Sequence, residues 1–128
     1  RTILKIACVL LFLGACKKEP GIGGNGSITG KVITRRYNAT FTNLLGTYPA
    51  ADQYVYIVFG NNVGYDKRIK TDYNGVYRFS FLYPGKYTIY SYSADSTGTV
   101  LSGQVAMKKE INLSKNQNYQ MSDIIIYE

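Results

Sequence analysis

Tyrosine is the residue type in this chain best placed to do chemistry. Thirteen occur in 128 residues, and two pairs, Tyr54 with Tyr56 and Tyr90 with Tyr92, are spaced i and i+2. In an extended strand that spacing sends both rings to the same side. Val55, Ile57 and Phe59 alternate with the first pair, and Tyr87 and Ile89 fall on the face opposite the second, so the four tyrosines are expected to point away from the core. A tyrosine offers a large apolar ring with a polar tip at small entropic cost, and a group of exposed ones could stack on sugar rings or anchor a protein partner. The other reading is cross-strand packing on a sheet surface, where tyrosine is simply a good strand former.

Other chemistries lack raw material. The chain has no His, no Trp and two Cys, which removes His-based triads, common zinc sites and a disulfide scaffold. The acids Asp52, Asp66, Asp72, Asp95, Glu110 and Asp123 are scattered, and those near Gly or Asn read as turn residues. Paired carboxylates, or a nucleophile beside a base, are not in evidence. Asp66, Asp72 and Asn74 could offer oxygens to a hard cation, but too sparsely to hold one. The expectation is a protein that is not an enzyme and carries neither cofactor nor metal.

The formal net charge is +7. The pairs Lys17-Lys18, Arg35-Arg36, Lys67-Arg68 and Lys108-Lys109 are spread along the chain rather than concentrated, which reads as solvated surface and not as a nucleic-acid face.

The elements that must position these residues begin with a targeting segment. Arg1 to Lys5 is short and positive, and Ile6 to Leu13 is an unbroken apolar run. That run is too short to cross a bilayer, which needs about 20 helical residues, but it suits the hydrophobic region of a signal peptide. It ends in Leu13-Gly14-Ala15-Cys16, which resembles the lipobox of bacterial lipoproteins. The resemblance implies cleavage after residue 15 and acylation of Cys16, hence a membrane partner reached through a lipid anchor. More than one acyl chain makes such attachment effectively permanent. Cys8 and two positive charges leave with the signal peptide, so the mature chain has no internal disulfide and depends on its core.

Residues 17–26, with four Gly and one Pro, read as a flexible spacer that continues from Cys16 to the folded part. Gly21, Gly23 and Gly26 match a G-x-G-x-x-G spacing, but they precede a strand instead of following one, so a spacer fits better than a dinucleotide site. From residue 27 to 128 the pattern is all β. Strands are expected over Ser27–Arg36, Asp52–Phe59, Gly64–Lys70, Val76–Leu82, Lys86–Ala94, within Thr99–Leu113, and at Tyr119–Tyr127. Within Val76–Leu82 the alternation puts Tyr77, Phe79 and Phe81 on the inward face. Seven short strands joined by turn signals such as Asp72-Tyr73-Asn74-Gly75 argue a two-sheet sandwich.

The stretch Lys70-Thr71-Asp72-Tyr73-Asn74-Gly75-Val76-Tyr77-Arg78-Phe79, followed by Leu82-Tyr83-Pro84-Gly85-Lys86-Tyr87, resembles the signature of carboxypeptidase regulatory-like domains. These are transthyretin-like sandwiches close to the Cna B-type repeats of bacterial surface proteins. The likeness implies a seven-stranded Greek-key β-sandwich and says almost nothing about function, because such modules accompany many unrelated proteins. The segment 37–51 is longer than the family's usual connection and is either a binding loop or a simple insertion. Asp95-Ser96-Thr97 matches the short O-glycosylation pattern of Bacteroidetes, although a turn explains it as well.

The sequence therefore points to a lipid-anchored outer-membrane lipoprotein of a Gram-negative bacterium, on its periplasmic or cell-surface face. It would act as a non-catalytic binding or accessory module for a glycan or an outer-membrane protein. The alternative is a structural adhesin or fimbria-like subunit that assembles by strand addition. An exposed aromatic cluster favours the first, and an unpaired apolar edge strand the second.

Overall fold

A computed structural model describes residues 19–98 and 102–128. The expected signal peptide and the lipidated Cys16 lie outside these residues. Nine strands are present among the described residues: β1 Ile22–Tyr37, β2 Leu44–Pro49, β3 Tyr54–Phe59, β4 Lys67–Lys70, β5 Val76–Leu82, β6 Gly85–Ala94, β7 Gln104–Leu113, β8 Asn118–Gln120 and β9 Ile124–Tyr127. They form two sheets.

The first sheet is built around β1. Its N-terminal half pairs antiparallel with β5 and its C-terminal half antiparallel with β2, while β8 and β9 run parallel to it along the other side. The second sheet has the order β4-β3-β6-β7, antiparallel throughout. Inward side chains of both sheets meet in one core that includes Ile28, Val32, Val55, Ile57, Tyr77, Phe79, Tyr87, Ile89, Ile111, Ile124 and Ile126. Alternation explains most of it: Val55, Ile57, Tyr87 and Ile89 are fully buried on the face opposite the tyrosine pairs.

The expected strand count of seven is corrected to nine, for two reasons. The segment 37–51 contains β2, folded back on β1 as a hairpin whose turn is held by Asn38, with Oδ1 accepting from the amides of Thr42 at 2.8 Å and Asn43 at 3.0 Å. The single strand expected at Tyr119–Tyr127 is two, because Met121 turns inward between them and donates its amide to the Thr29 carbonyl at 2.7 Å.

The spacer reading of residues 17–26 is also corrected over its described part. β1 begins at Ile22, and Gly21 is fixed by the Tyr87 hydroxyl, which accepts its amide at 2.8 Å. Tyr83 donates its amide to the Gly21 carbonyl at 2.8 Å. The glycines serve close packing here: a Cβ on Gly24 would lie 2.8 Å from Tyr83 Cα, and one on Gly26 2.7 Å from Leu113. Composition alone could not separate glycine used for approach from glycine used for slack.

Phe81 is the third correction. It is 70% exposed with φ of 60°, whereas Leu82 is buried. Between the pairs Ile28↔Phe79 and Gly26↔Leu82, β5 carries one more residue than β1. That bulge turns Phe81 outward and brings Leu82 into the core in its place.

Turn chemistry follows the sequence closely at Asp72. Its Oδ1 accepts the amides of Asn74 and Val76, each at 2.9 Å, and Gly75 closes the turn at φ 75°. Among the described residues no helix is long and apolar enough to cross a membrane.

Candidate functional site

β3 and β6 are neighbours in the second sheet, with Tyr56 directly opposite Tyr90. All four tyrosines singled out by spacing therefore share its outer face. Tyr56 and Tyr90 stack, with ring centroids 5.0 Å apart and planes 13° from parallel. Tyr92 meets both rings edge-on, at 5.5 Å from Tyr56 and 5.6 Å from Tyr90, and Tyr54 lies 6.3 Å from Tyr56. Edge-to-face and offset contacts at these separations are the favoured arrangements of aromatic quadrupoles.

The expectation that all four are exposed is corrected at two positions, for Tyr56 is half-buried and Tyr90 is buried. Tyr90 is only 8% exposed, because Tyr56 covers its face and Tyr92 its edge, while Tyr54 and Tyr92 are 36% and 42% exposed. Burial, reinforced by Tyr92, pushes the Tyr90 phenol above its ordinary value. Tyr90 is thus the floor of the cluster, and Tyr54 and Tyr92 are its exposed rings.

A fifth ring completes the group. Tyr65 sits edge-on to Tyr56 at 4.9 Å and is half exposed. It lies just outside β4, which begins at Lys67 and not at the expected Gly64, and with Val63 and Lys67 two residues to either side it has no partner at the i, i+2 spacing that marks the other four.

The cluster is ringed by cations. The register runs Arg68, Tyr56, Tyr90, Lys108 straight across β4, β3, β6 and β7. Arg68 Cζ stands 4.3 Å from the centroid of Tyr54, Lys70 Nζ stands 5.1 Å from the same centroid, and Lys108 Nζ is 5.9 Å from that of Tyr90. A hydrogen bond with Tyr56 raises the Arg68 pKa further above its already high value. Along the chain these residues had looked dispersed; the sheet register collects them.

Two concavities adjoin the rings. Tyr90, Tyr92, Thr88 and Lys108 line an open groove of 370 Å³ on the outer face of β6 and β7. A second, of 700 Å³, runs past the ends of the two sheets and is lined by Tyr48, Gln53, Tyr92 and Tyr127 among others. Tyr92 stands on the rim of both.

Three of the candidate acids, Asp66, Asp72 and Asp95, are taken up by turns. Asp66 accepts the Phe59 amide at 2.7 Å and the Asn62 side-chain amide at 3.1 Å, and Asp95 accepts the Thr97 amide at 2.9 Å. Asp66 and Asp72 thus organise two different turns. Among the described residues no group of three or more His, Cys, Asp and Glu is placed to hold a metal ion.

The architecture is that of an all-β protein whose two sheets enclose one core. No family model and no curated protein matches the chain. Among solved structures it is similar to a Pseudomonas aeruginosa protein described as a "putative carbohydrate binding protein", with a TM-score of 0.50 and 17% identity over 91% of this chain and 94% of that one. At that identity the likeness is one of fold.

Proposed function

We propose that this protein is a non-catalytic binding module that takes a glycan on the tyrosine cluster of its four-stranded sheet. The observation that carries the reading is the Tyr56–Tyr90 stack with Tyr54, Tyr65 and Tyr92 around it, an aromatic surface on the outer face of a sheet and not in its core. Rings already held by one another lose little freedom when a sugar ring stacks on them. The description of the Pseudomonas aeruginosa neighbour as a carbohydrate binder points the same way. Cys16, on the lipobox-like sequence, would anchor the module to the outer membrane of a Gram-negative bacterium, facing the periplasm or the surface. The resemblance to carboxypeptidase regulatory-like domains supports a transthyretin-like Greek-key connectivity and an accessory role.

The test is retention on a panel of immobilised polysaccharides. Tyr54→Ala combined with Tyr92→Ala should abolish retention and leave the circular dichroism spectrum unchanged. Retention that survives this double change rules the cluster out as the binding surface. For the anchor, Cys16→Ser should release the protein from membranes on a high-salt wash, and a Ser variant that still sediments with membranes removes the lipid from the reading.

A structural subunit is the second reading, and β2 favours it. Among the described residues this strand pairs only with β1, and it exposes Leu44 and Leu45 at 53% and 63%. An apolar edge of that kind accepts a further strand. Assembly by this route requires that a proline at Leu45 reduce oligomerisation, and a monomer at all concentrations excludes it.

A further inference from the structure

We infer that the glycan taken by the tyrosine cluster is acidic, a sugar chain carrying carboxylate or sulfate groups, with Arg68, Lys70 and Lys108 as the cationic contacts; this rests on the binding reading above. Arg68 and Lys108 occupy the two ends of the row that contains the stacked pair, and Lys70 is the register partner of Tyr54. All three side chains lie over or beside tyrosine rings. A cation over a ring face is held in position by the quadrupole, so its charge is presented at a fixed place beside the stacking surface.

Among the described residues none of these three cations is spent on a carboxylate. Among the described residues the ion pair present is Lys86 with Glu110 at 3.8 Å, so the acid that lines the groove faces a lysine of its own. Asp66 is turned to the Phe59 amide and Asn62. The face therefore offers stacking area with uncompensated positive charge on both flanks. A neutral sugar would use the rings and leave the charges idle. A sugar chain with an anionic group on successive residues would use both, and the row from Arg68 to Lys108 spans three inter-strand steps of about 4.8 Å, long enough for an oligosaccharide. Guanidinium suits carboxylate and sulfate because it can donate two parallel hydrogen bonds to either.

The experiment compares affinity electrophoresis of the protein in gels containing polygalacturonate, its fully methyl-esterified form, dextran sulfate, or plain dextran, with single-stranded DNA of matched charge density as a separate arm. The acidic polymers should retard the protein about tenfold more strongly than their neutral counterparts, and the difference should shrink as salt is raised. The relative strength of polygalacturonate and dextran sulfate assigns carboxylate or sulfate. Arg68→Gln with Lys70→Gln and Lys108→Gln should erase the preference, and an unchanged urea midpoint shows that the fold survives the change. Equal retardation by esterified and free polymer overturns the acidic ligand while leaving a neutral glycan on the cluster intact. Retardation by DNA as strong as by polygalacturonate overturns it too, because the face is then a general polyanion exchanger. Retardation by none of the four polysaccharides removes both this inference and the glycan reading beneath it.

Discussion

The phenol end of the Tyr77 ring lies over Gly30, its antiparallel partner on β1, so that a Cβ at Gly30 would stand 2.9 Å from Tyr77 Cε1 and nearer still to Cζ and the hydroxyl oxygen. An aromatic ring covering a strand glycine restores apolar contact that the missing side chain cannot make. The arrangement buries Tyr77 almost completely, at 1% exposure. Gly30→Ala should push that ring out of the core and cost about 1–3 kcal/mol, as overpacking does. A urea midpoint equal to that of the parent would show that the ring has room to move.

Burying Tyr77 leaves its hydroxyl without a hydrogen-bond partner among the described residues. An unpaired buried polar group costs about 1–3 kcal/mol, so Tyr77→Phe should hold stability constant or raise it by about 1 kcal/mol. The change should also show in alkali. Burial, with the negative charge of Asp123 behind it, raises the Tyr77 pKa well above the ordinary 10.0, and burial raises Tyr87 and Tyr90 as well. A folded-state pKa above the unfolded one gives stability that is complete below pH 10 and lost as the pH climbs past it, because the unfolded chain releases protons that the folded chain retains. The parent should therefore unfold more readily with each step above pH 10, and Tyr77→Phe less steeply. Lysine titration is common to both proteins and cancels in the comparison. Parallel curves for the two would show that Tyr77 is not the group responsible.

Phe79 and Phe81 look equivalent in the sequence and behave oppositely in the fold. Phe79 is 4% exposed, so Phe79→Ala should cost about 3–5 kcal/mol. At Phe81 the left-handed backbone costs an L-residue about 1–2 kcal/mol, which glycine would relieve at a backbone-entropy cost of about 0.5–1 kcal/mol. Phe81→Gly should thus stay within about 1 kcal/mol of the parent. Similar losses for both would mean that Phe81 packs against something important despite its exposure.

Alternation made most of the core and the four paired tyrosines legible in the sequence. Val55, Ile57, Tyr87 and Ile89 are buried, and Tyr54, Tyr56, Tyr90 and Tyr92 lie on the opposite face of the same sheet. Period-2 reasoning assumes an unbroken pleat, and it failed where the pleat breaks. One extra residue in β5 reverses Phe81 and Leu82, a defect that depends on the partner strand and leaves no mark in the local pattern. The cation ring was invisible for a related reason. Arg68, Tyr56, Tyr90 and Lys108 are far apart in the chain, and only the register of three strand pairs puts them in line. Gly21 to Gly26 misled through composition, since the contacts that use those glycines come from Leu82, Tyr83 and Leu113.

The stacked pair itself can be measured. Tyr56 and Tyr90 are directly opposed and 5.0 Å apart, so a double-mutant cycle with Tyr56→Ala and Tyr90→Ala should return a coupling of about 0.5–1.5 kcal/mol, the value of an aromatic contact beyond area burial. Tyr90→Ala alone should be the more destabilising single change, because Tyr90 is the buried floor and Tyr56 only half-buried above it. The same cycle between Tyr54 and Tyr90 provides the control. No ring contact joins those two directly, and their coupling should be smaller. Additive effects at Tyr56 and Tyr90 would mean that the rings merely lie near one another and do not hold each other in place, and a surface of independent rings would lose the preorganisation that makes it suited to stacking on a sugar.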